Sequence, residues 1–184
     1  LPPSIAQDVT LIRSELDRCR QILDRMTSAA GDAAGERLNQ TTVDQFFHEV
    51  LLGVREPQRV RVQIADSVKN VTSLLPIQAA AQAVRNLVQN AIDASQPGAD
   101  IQLNAEVAGD QWRILVIDRG DGMTSEVLKR VGQPFFTTKE PGRGMGLGLY
   151  LTQNVLGRLG GKLVFSSRPG HGTTAEVTLP CKRH

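Results

Sequence analysis

The chain runs to 184 residues, enough for one core of ordinary size plus an appendage. Its 40% hydrophobic and 22% charged residues exclude a disordered chain, and a net charge of +2 gives no general attraction to nucleic acid or anionic lipid. Apolar runs such as Ile114 to Ile117 are far too short to span a bilayer, so no direct membrane contact is expected.

The N-terminus, Leu1-Pro-Pro-Ser4, lacks the basic and apolar regions of a signal peptide and has no initiator Met, from which we expect an excised piece of a longer chain. Residues 4–28 carry a helical pattern that Ser4 or the preceding prolines can start. Ile5, Val9, Ile12, Leu16, Cys19, Leu23 and Met26 alternate spacings of 4 and 3, the seam of a coiled coil or bundle. One helix cannot bury such a stripe alone, which favours self-association over packing onto its own domain. The small and polar stretch 29–39 reads as a linker, so we divide the chain into 1–30, a linker over 31–40, and a domain over 41–184. Thr41 or Thr42 caps a helix through Val54, with Val43, Phe46, Phe47, Val50, Leu51 and Val54 facing inward.

Residues 59–64 alternate as a strand, and a long helix follows from Pro76 to about Ser95. Strands at 101–107 and 112–118 join through Gly109-Asp110, a short helix spans 124–131, and a further helix spans 146–159 before Gly160-Gly161. A last hairpin, 162–167 with 173–179, turns at Pro169-Gly170. These elements predict an α+β fold, a two-layer α/β sandwich with helices on one face of a mostly antiparallel sheet and a coiled-coil-type helix ahead of it. Cys19 and Cys181 form neither a disulfide framework nor a metal-ligand spacing, so a reducing, cytoplasmic setting is expected, and Cys181 reads as incidental near a frayed end.

Short segments in fixed order carry the chemistry. They are Asn86-Leu-Val-Gln-Asn90-Ala-Ile-Asp93, Asp118-Arg-Gly120-Asp-Gly122, Phe135-Phe136-Thr-Thr-Lys139, Gly142-Arg143-Gly144-Met145-Gly146-Leu147-Gly148-Leu149 and Gly170-His-Gly172-Thr173. Asn86, Asn90 and Asp93 stand at i, i+4 and i+7 and share one helix face. Neutral amide oxygens there suit a hard cation. Asp118 ends a strand, where a buried carboxylate needs donors; its plainer reading is a turn-initiating Asp ahead of Gly120. The pair Phe135-Phe136 would bury aromatic surface under a loop, and Lys139 would meet phosphate as a point charge. Glycines 144, 146 and 148 open a helix whose N-terminus favours anions. No Gly-Lys-Ser/Thr ending makes this a Walker A loop, and no strand immediately before it makes it a Rossmann turn.

Together, in this order, the segments resemble the N, G1, F, G2 and G3 boxes of the GHKL ATPases, and specifically of the histidine-kinase catalytic domain, over about residues 40–180. The resemblance implies the Bergerat fold and ATP with Mg²⁺ as cofactors. It implies that Asn90 gives a carbonyl oxygen to Mg²⁺ and that Asn86 adds a phosphate or metal contact. Asp118 would accept from the adenine amino group, with Gly120 and Gly122 letting the backbone come close. Lys139 would reach phosphate, and Arg143 either reaches the terminal phosphate or is a solvated lid arginine; Gly144, Met145, Gly146, Leu147, Gly148 and Leu149 would form the triphosphate cradle; Asp93 and Thr173 would border the nucleotide.

In the hydrolytic members of the family the position of Asn86 is a Glu that activates water, and an amide is no general base. This favours phosphoryl transfer to a histidine over the alternatives, a hydrolytic ATPase or a non-catalytic docking module. The histidines, His48, His171 and His184, lack the setting of the family's acceptor. We therefore expect the acceptor helix to lie outside this chain, with residues 4–28 as the second helix of the dimerisation and phosphotransfer hairpin, no autophosphorylation by this chain alone, a homodimer in the full-length protein, and a response regulator as partner. The segment around Asp17-Arg18-Cys19-Arg20 resembles the redox-responsive RegB/PrrB/ActS group of sensor kinases. That implies a redox role for Cys19 and an inner-membrane anchor in the parent protein. Flanking arginines favour a thiolate, whereas a small buried apolar residue is the plainer reading of Cys19.

Overall fold

The computed structural model describes residues 8–10, 12, 36–140 and 145–183. Residues 8–10 and 12 are helical, as expected; the rest of the predicted helix over 4–28, with Cys19, lies outside the described residues, as do Gly142, Arg143, Gly144 and His184.

Strand β1, Asn39–Thr42, runs straight into helix α1, Val43–Leu51. Asn39 and Gln40 were expected in a linker. Instead, β1 pairs antiparallel with β3, Val71–Leu75. Thr42 is the N-cap, and the Gln45 side chain returns the bond to the Thr42 N–H, closing a capping box. Helix α1 stops at Leu51, short of Val54. Gly53 follows, and the Arg85 guanidinium caps the last turn by donating to the carbonyls of Glu49 (2.6 Å) and Val50 (3.1 Å).

Strand β2, Val60–Ile64, precedes β3, and helix α2 covers Ile77–Ala94. Strands β4, Ile101–Ala108, and β5, Gln111–Ile117, form the expected hairpin, with Gly109 at φ 66° in the turn. Helix α3 is Ser125–Arg130, capped by Thr124, and helix α4 is Gly148–Arg158. Strands β6, Lys162–Ser167, and β7, Thr173–Pro180, make the closing hairpin, and β8, Lys182–Arg183, pairs with β3.

The main sheet has the order β2-β4-β5-β7-β6, parallel only between β2 and β4. The smaller sheet, β1-β3-β8, stands beside it. Helices α1, α2 and α4 pack on the main sheet, with α2 between the other two. Alternation along β5 sends Trp112, Ile114 and Val116 into this core, where Trp112 meets Phe46 with ring centroids 6.0 Å apart. The opposite face of the sheet is half exposed, with Arg113 clasped between Glu106 and Glu176. This is the expected two-layer sandwich. Cys181, expected near a frayed end, is instead buried, and its N–H donates to the Asp110 carbonyl.

Candidate functional site

Helices α2 and α4, the loop after β5, α3 and the loop over 131–139 enclose a cleft of about 1040 Å³. Its floor is Asp118, just past the end of β5 and only 6% exposed. One carboxylate oxygen, Oδ1, accepts from the N–H groups of Gly120 (2.9 Å) and Thr173 (3.1 Å). Among the described residues the other oxygen has no hydrogen-bond partner. Burial pushes the Asp118 carboxyl above its ordinary range, and the two backbone donors offset only part of that. An acceptor is thus fixed in direction on an otherwise apolar floor that includes Val116 and Ala175.

Glycines make this placement possible by letting loops touch. A Cβ at Gly120 would strike the Ala94 carbonyl at the end of α2, and one at Gly172, φ 75°, would strike the Asp118 carbonyl. At Gly122, φ 68°, it would strike the Arg168 carbonyl. The missing side chains of Gly120 and Gly122 therefore admit protein backbone. Ser167, unremarked in the sequence, knots the same corner: its hydroxyl donates to the Gly172 carbonyl, accepts from Met123 N–H and lies 2.9 Å from Thr173 Oγ1.

Asn86, Asn90 and Asp93 do share the cleft-facing side of α2. Asn86 braces two helices. Its Nδ2 donates to Thr152 Oγ1 on α4 (3.4 Å) and its Oδ1 accepts from Gln82 (3.0 Å). Farther along, the Lys139 ammonium donates to Asn90 Oδ1 (3.2 Å) and Asp93 Oδ2 (2.8 Å). Asp93 Oδ1 accepts from Arg55 (2.9 Å) and Gln89 (2.9 Å). Burial raises the Asp93 pKa, but hydrogen bonds from Lys139 and Gln89 and the charges of Lys139 and Arg55 outweigh it and hold the carboxyl below its ordinary value. The motif had pointed to Asn90, Asp93 and Lys139; Arg55 lies outside every motif.

The loop ahead of α4 is pinned at Gly146, φ 68°, whose carbonyl accepts from Phe135 N–H (3.0 Å) and whose absent Cβ leaves room for the backbone of Phe135 and Phe136. Leu147 is buried beneath it, Leu149 packs on the core, and Met145 lines the cleft. The expectation that both phenylalanines are buried fails for Phe135, which is 66% exposed with φ 64°; Phe136 is half-buried beneath the Arg130 guanidinium. Gly148 differs from the other glycines of the site. It opens α4, lines the cleft, and a Cβ there would meet no atom of the described residues within 4 Å. Among the described residues no packing demands its bare backbone, and it stands at a helix N-terminus, where N–H groups lack intrahelical partners.

Residues 76–183 match the family of histidine kinase-, DNA gyrase B- and HSP90-like ATPases. The chain belongs to that family. Among curated relatives, the sensor histidine kinase RegB of Cereibacter sphaeroides is 30% identical over 182 residues, covering 90% of this chain and 38% of RegB. Sporulation kinase E of Bacillus subtilis is 39% identical over 101 residues, 54% of this chain and 13% of that protein. The chain thus spans well under half the length of these relatives. Among solved structures, the mycobacterial sensor histidine kinase MprB superposes with a TM-score of 0.67 at 20% identity, covering 80% of this chain and 99% of that one. Full-length ShkA, solved in complex with AMPPNP, superposes with a TM-score of 0.68 at 21% identity, over 94% of this chain and 39% of that one. These neighbours share the fold of the family's catalytic domains.

Proposed function

We propose that this chain is the ATP-binding catalytic domain of a two-component sensor histidine kinase and transfers the γ-phosphoryl group of ATP to a histidine on a helix outside the described residues. The observation that carries this is Asp118: a buried carboxylate with one oxygen tied to two backbone donors and the other open to the cleft. That arrangement fits an exocyclic amino group, which donates and carries no charge. At the far end, the N-terminus of α4 at Gly148 and the Lys139 ammonium suit the phosphates.

The acceptor chemistry of Asn90 supports a role towards Mg²⁺: its amide oxygen, a neutral hard ligand, faces the cleft and accepts from the ammonium of Lys139. When bound there, Mg²⁺ would supply neutralisation of phosphate charge. The chain's own residues do the rest. Asp118 orients the base, Gly148 and its neighbours hold the phosphates through backbone N–H groups, and Lys139 offsets charge on the transferred group. Catalysis is then positioning and electrostatics. Asn86, bonded to Thr152 and Gln82, takes up no proton, in keeping with transfer to a positioned acceptor over hydrolysis. A response regulator receives the phosphoryl group, and the full-length protein dimerises through the helix that the sequence pattern predicts over residues 4–28.

The likeness to RegB and the Arg18-Cys19-Arg20 setting support a redox-responsive kinase. Oxidant should alter the activity of the longer protein and leave its Cys19→Ser variant unaffected; equal responses would remove Cys19 from the switch. The nucleotide reading is tested by calorimetry with Mg²⁺ and a non-hydrolysable ATP analogue. Asp118→Asn should weaken binding about ten- to hundredfold, because the oxygen left open to the cleft becomes a donor that faces the amino group. Unchanged affinity would refute the assignment.

A further inference from the structure

Arg55 stands in the connection between α1 and β2, outside every motif of the nucleotide boxes, yet it lines the same cleft and shares a carboxylate with Lys139. Its guanidinium reaches Asp93 Oδ1 at 2.9 Å while Lys139 holds Oδ2 at 2.8 Å. Two cations from distant parts of the chain therefore converge on one carboxylate, one on each oxygen. We propose that Arg55 is a ligand for the terminal phosphate of the nucleotide, and that Asp93 is a placeholder for that phosphate, holding Arg55 and Lys139 until it arrives. The inference rests on the nucleotide reading given above.

A lone carboxylate beside an anion site would repel its ligand. Here Asp93 is covered by two positive side chains and a Gln89 amide, so the cluster as a whole remains attractive to an anion. Folding does not explain the arrangement. The Arg55 side chain is 69% exposed and that of Asp93 is 29% exposed, and an ion pair so placed contributes little to stability. Both partners line the same cleft as Gly148, the first residue of α4.

A terminal phosphate outcompetes Asp93 for these partners. It carries more charge than a carboxylate, and its oxygens accept both N–H groups of one guanidinium edge while leaving another oxygen for the ammonium. Arg55 sits on a long, exposed side chain and moves to it without disturbing the core. Because the bond is to the terminal phosphate, it distinguishes a triphosphate from a diphosphate. Asp93, by retaining both cations in the nucleotide-free protein, keeps them ordered and sets a threshold that a diphosphate does not cross.

The test is calorimetric titration of the 184-residue chain with Mg²⁺ and AMPPNP, and separately with Mg²⁺ and ADP, for wild type, Arg55→Gln and Asp93→Asn. Arg55→Gln is expected to weaken the triphosphate analogue about tenfold and leave ADP within about twofold, on the scale of one charge-assisted bond. Asp93→Asn is expected to tighten the analogue several-fold relative to ADP. Thermal melts of both variants should match wild type. The inference is overturned if Arg55→Gln keeps the wild-type ratio of analogue to ADP affinity, whether both are unchanged or both fall equally. It is also overturned, in its placeholder part, if Asp93→Asn weakens the analogue. A wild-type chain that binds neither nucleotide would overturn the nucleotide reading itself, an outcome distinct from normal binding with an unaltered ratio.

Discussion

Asp118 carries a conflict between folding and binding. Burial raises its folded-state pKa, so the folded protein holds the proton more tightly than the unfolded chain, and ionisation at neutral pH costs stability. That cost fades as pH falls through the raised value towards the ordinary 3.8. Asp118→Asn keeps an oxygen for the Gly120 and Thr173 donors and removes the charge. We therefore expect it to melt at or above the wild-type temperature at neutral pH, the advantage shrinking in acid, even as nucleotide binding is lost. A lower melting temperature at neutral pH would contradict this account. Two glycines separate the same way. Gly148→Ala should leave the nucleotide-free fold as stable as wild type, since its Cβ meets no atom of the described residues within 4 Å, while weakening nucleotide binding. Gly172→Ala should destabilise the fold by about 1–3 kcal/mol through its positive φ and the Asp118 carbonyl. Much of this was legible in sequence: helical spacing put Asn86, Asn90 and Asp93 on one face, and the glycine pattern located the start of α4. Arg55, Ser167 and Thr152 were not, because each becomes part of the site only through distant partners.

Elements whose burial follows their own periodicity were read correctly; those defined by a partner were not. Strand β5 alternates cleanly, as does the hairpin β6–β7. Strand β3 buries Val71, Ser73 and Leu75 but exposes Leu74 at 58%, and a buried serine bonded to the Pro180 carbonyl hides the apolar row. Strand β1, Asn39–Thr42, has no apolar residue at all and exists through its pairing with β3. Helix α2 shows the same dependence. Its N-cap is Pro76, without a side-chain acceptor, and the missing acceptor comes from Glu36, whose carboxylate takes the N–H groups of Gln78 (2.8 Å) and Ala79 (3.1 Å). Glu36→Ala should cost about 1 kcal/mol, as loss of a charged cap does. Thr42→Ala, breaking the capping box of α1, should cost a similar ~1 kcal/mol. Denaturant unfolding measures both, and no loss in either variant would show that the cap is idle.

At the scale of the whole molecule, the site lies between the helical layer and the sheet, so both layers shape it. Phe46 on α1 and Trp112 on β5 join the layers far from the cleft residues, so Phe46→Ala should cost about 3–5 kcal/mol without a specific effect on nucleotide recognition in the protein that remains folded. The cleft itself is assembled from α2, the loop after β5, the loop bearing Lys139 and the start of α4, and two kinds of contact set it: backbone donors at Asp118, and a charge cluster at Asp93. The measurement that bears most directly on the central claim is calorimetric titration of Mg²⁺ and AMPPNP into the wild-type chain beside Asp118→Asn. Saturable one-to-one binding by wild type, lost or weakened at least about tenfold in a variant that melts no lower, is the predicted result. Absence of binding by wild type, or equal binding by both proteins, would contradict the assignment of this cleft to ATP.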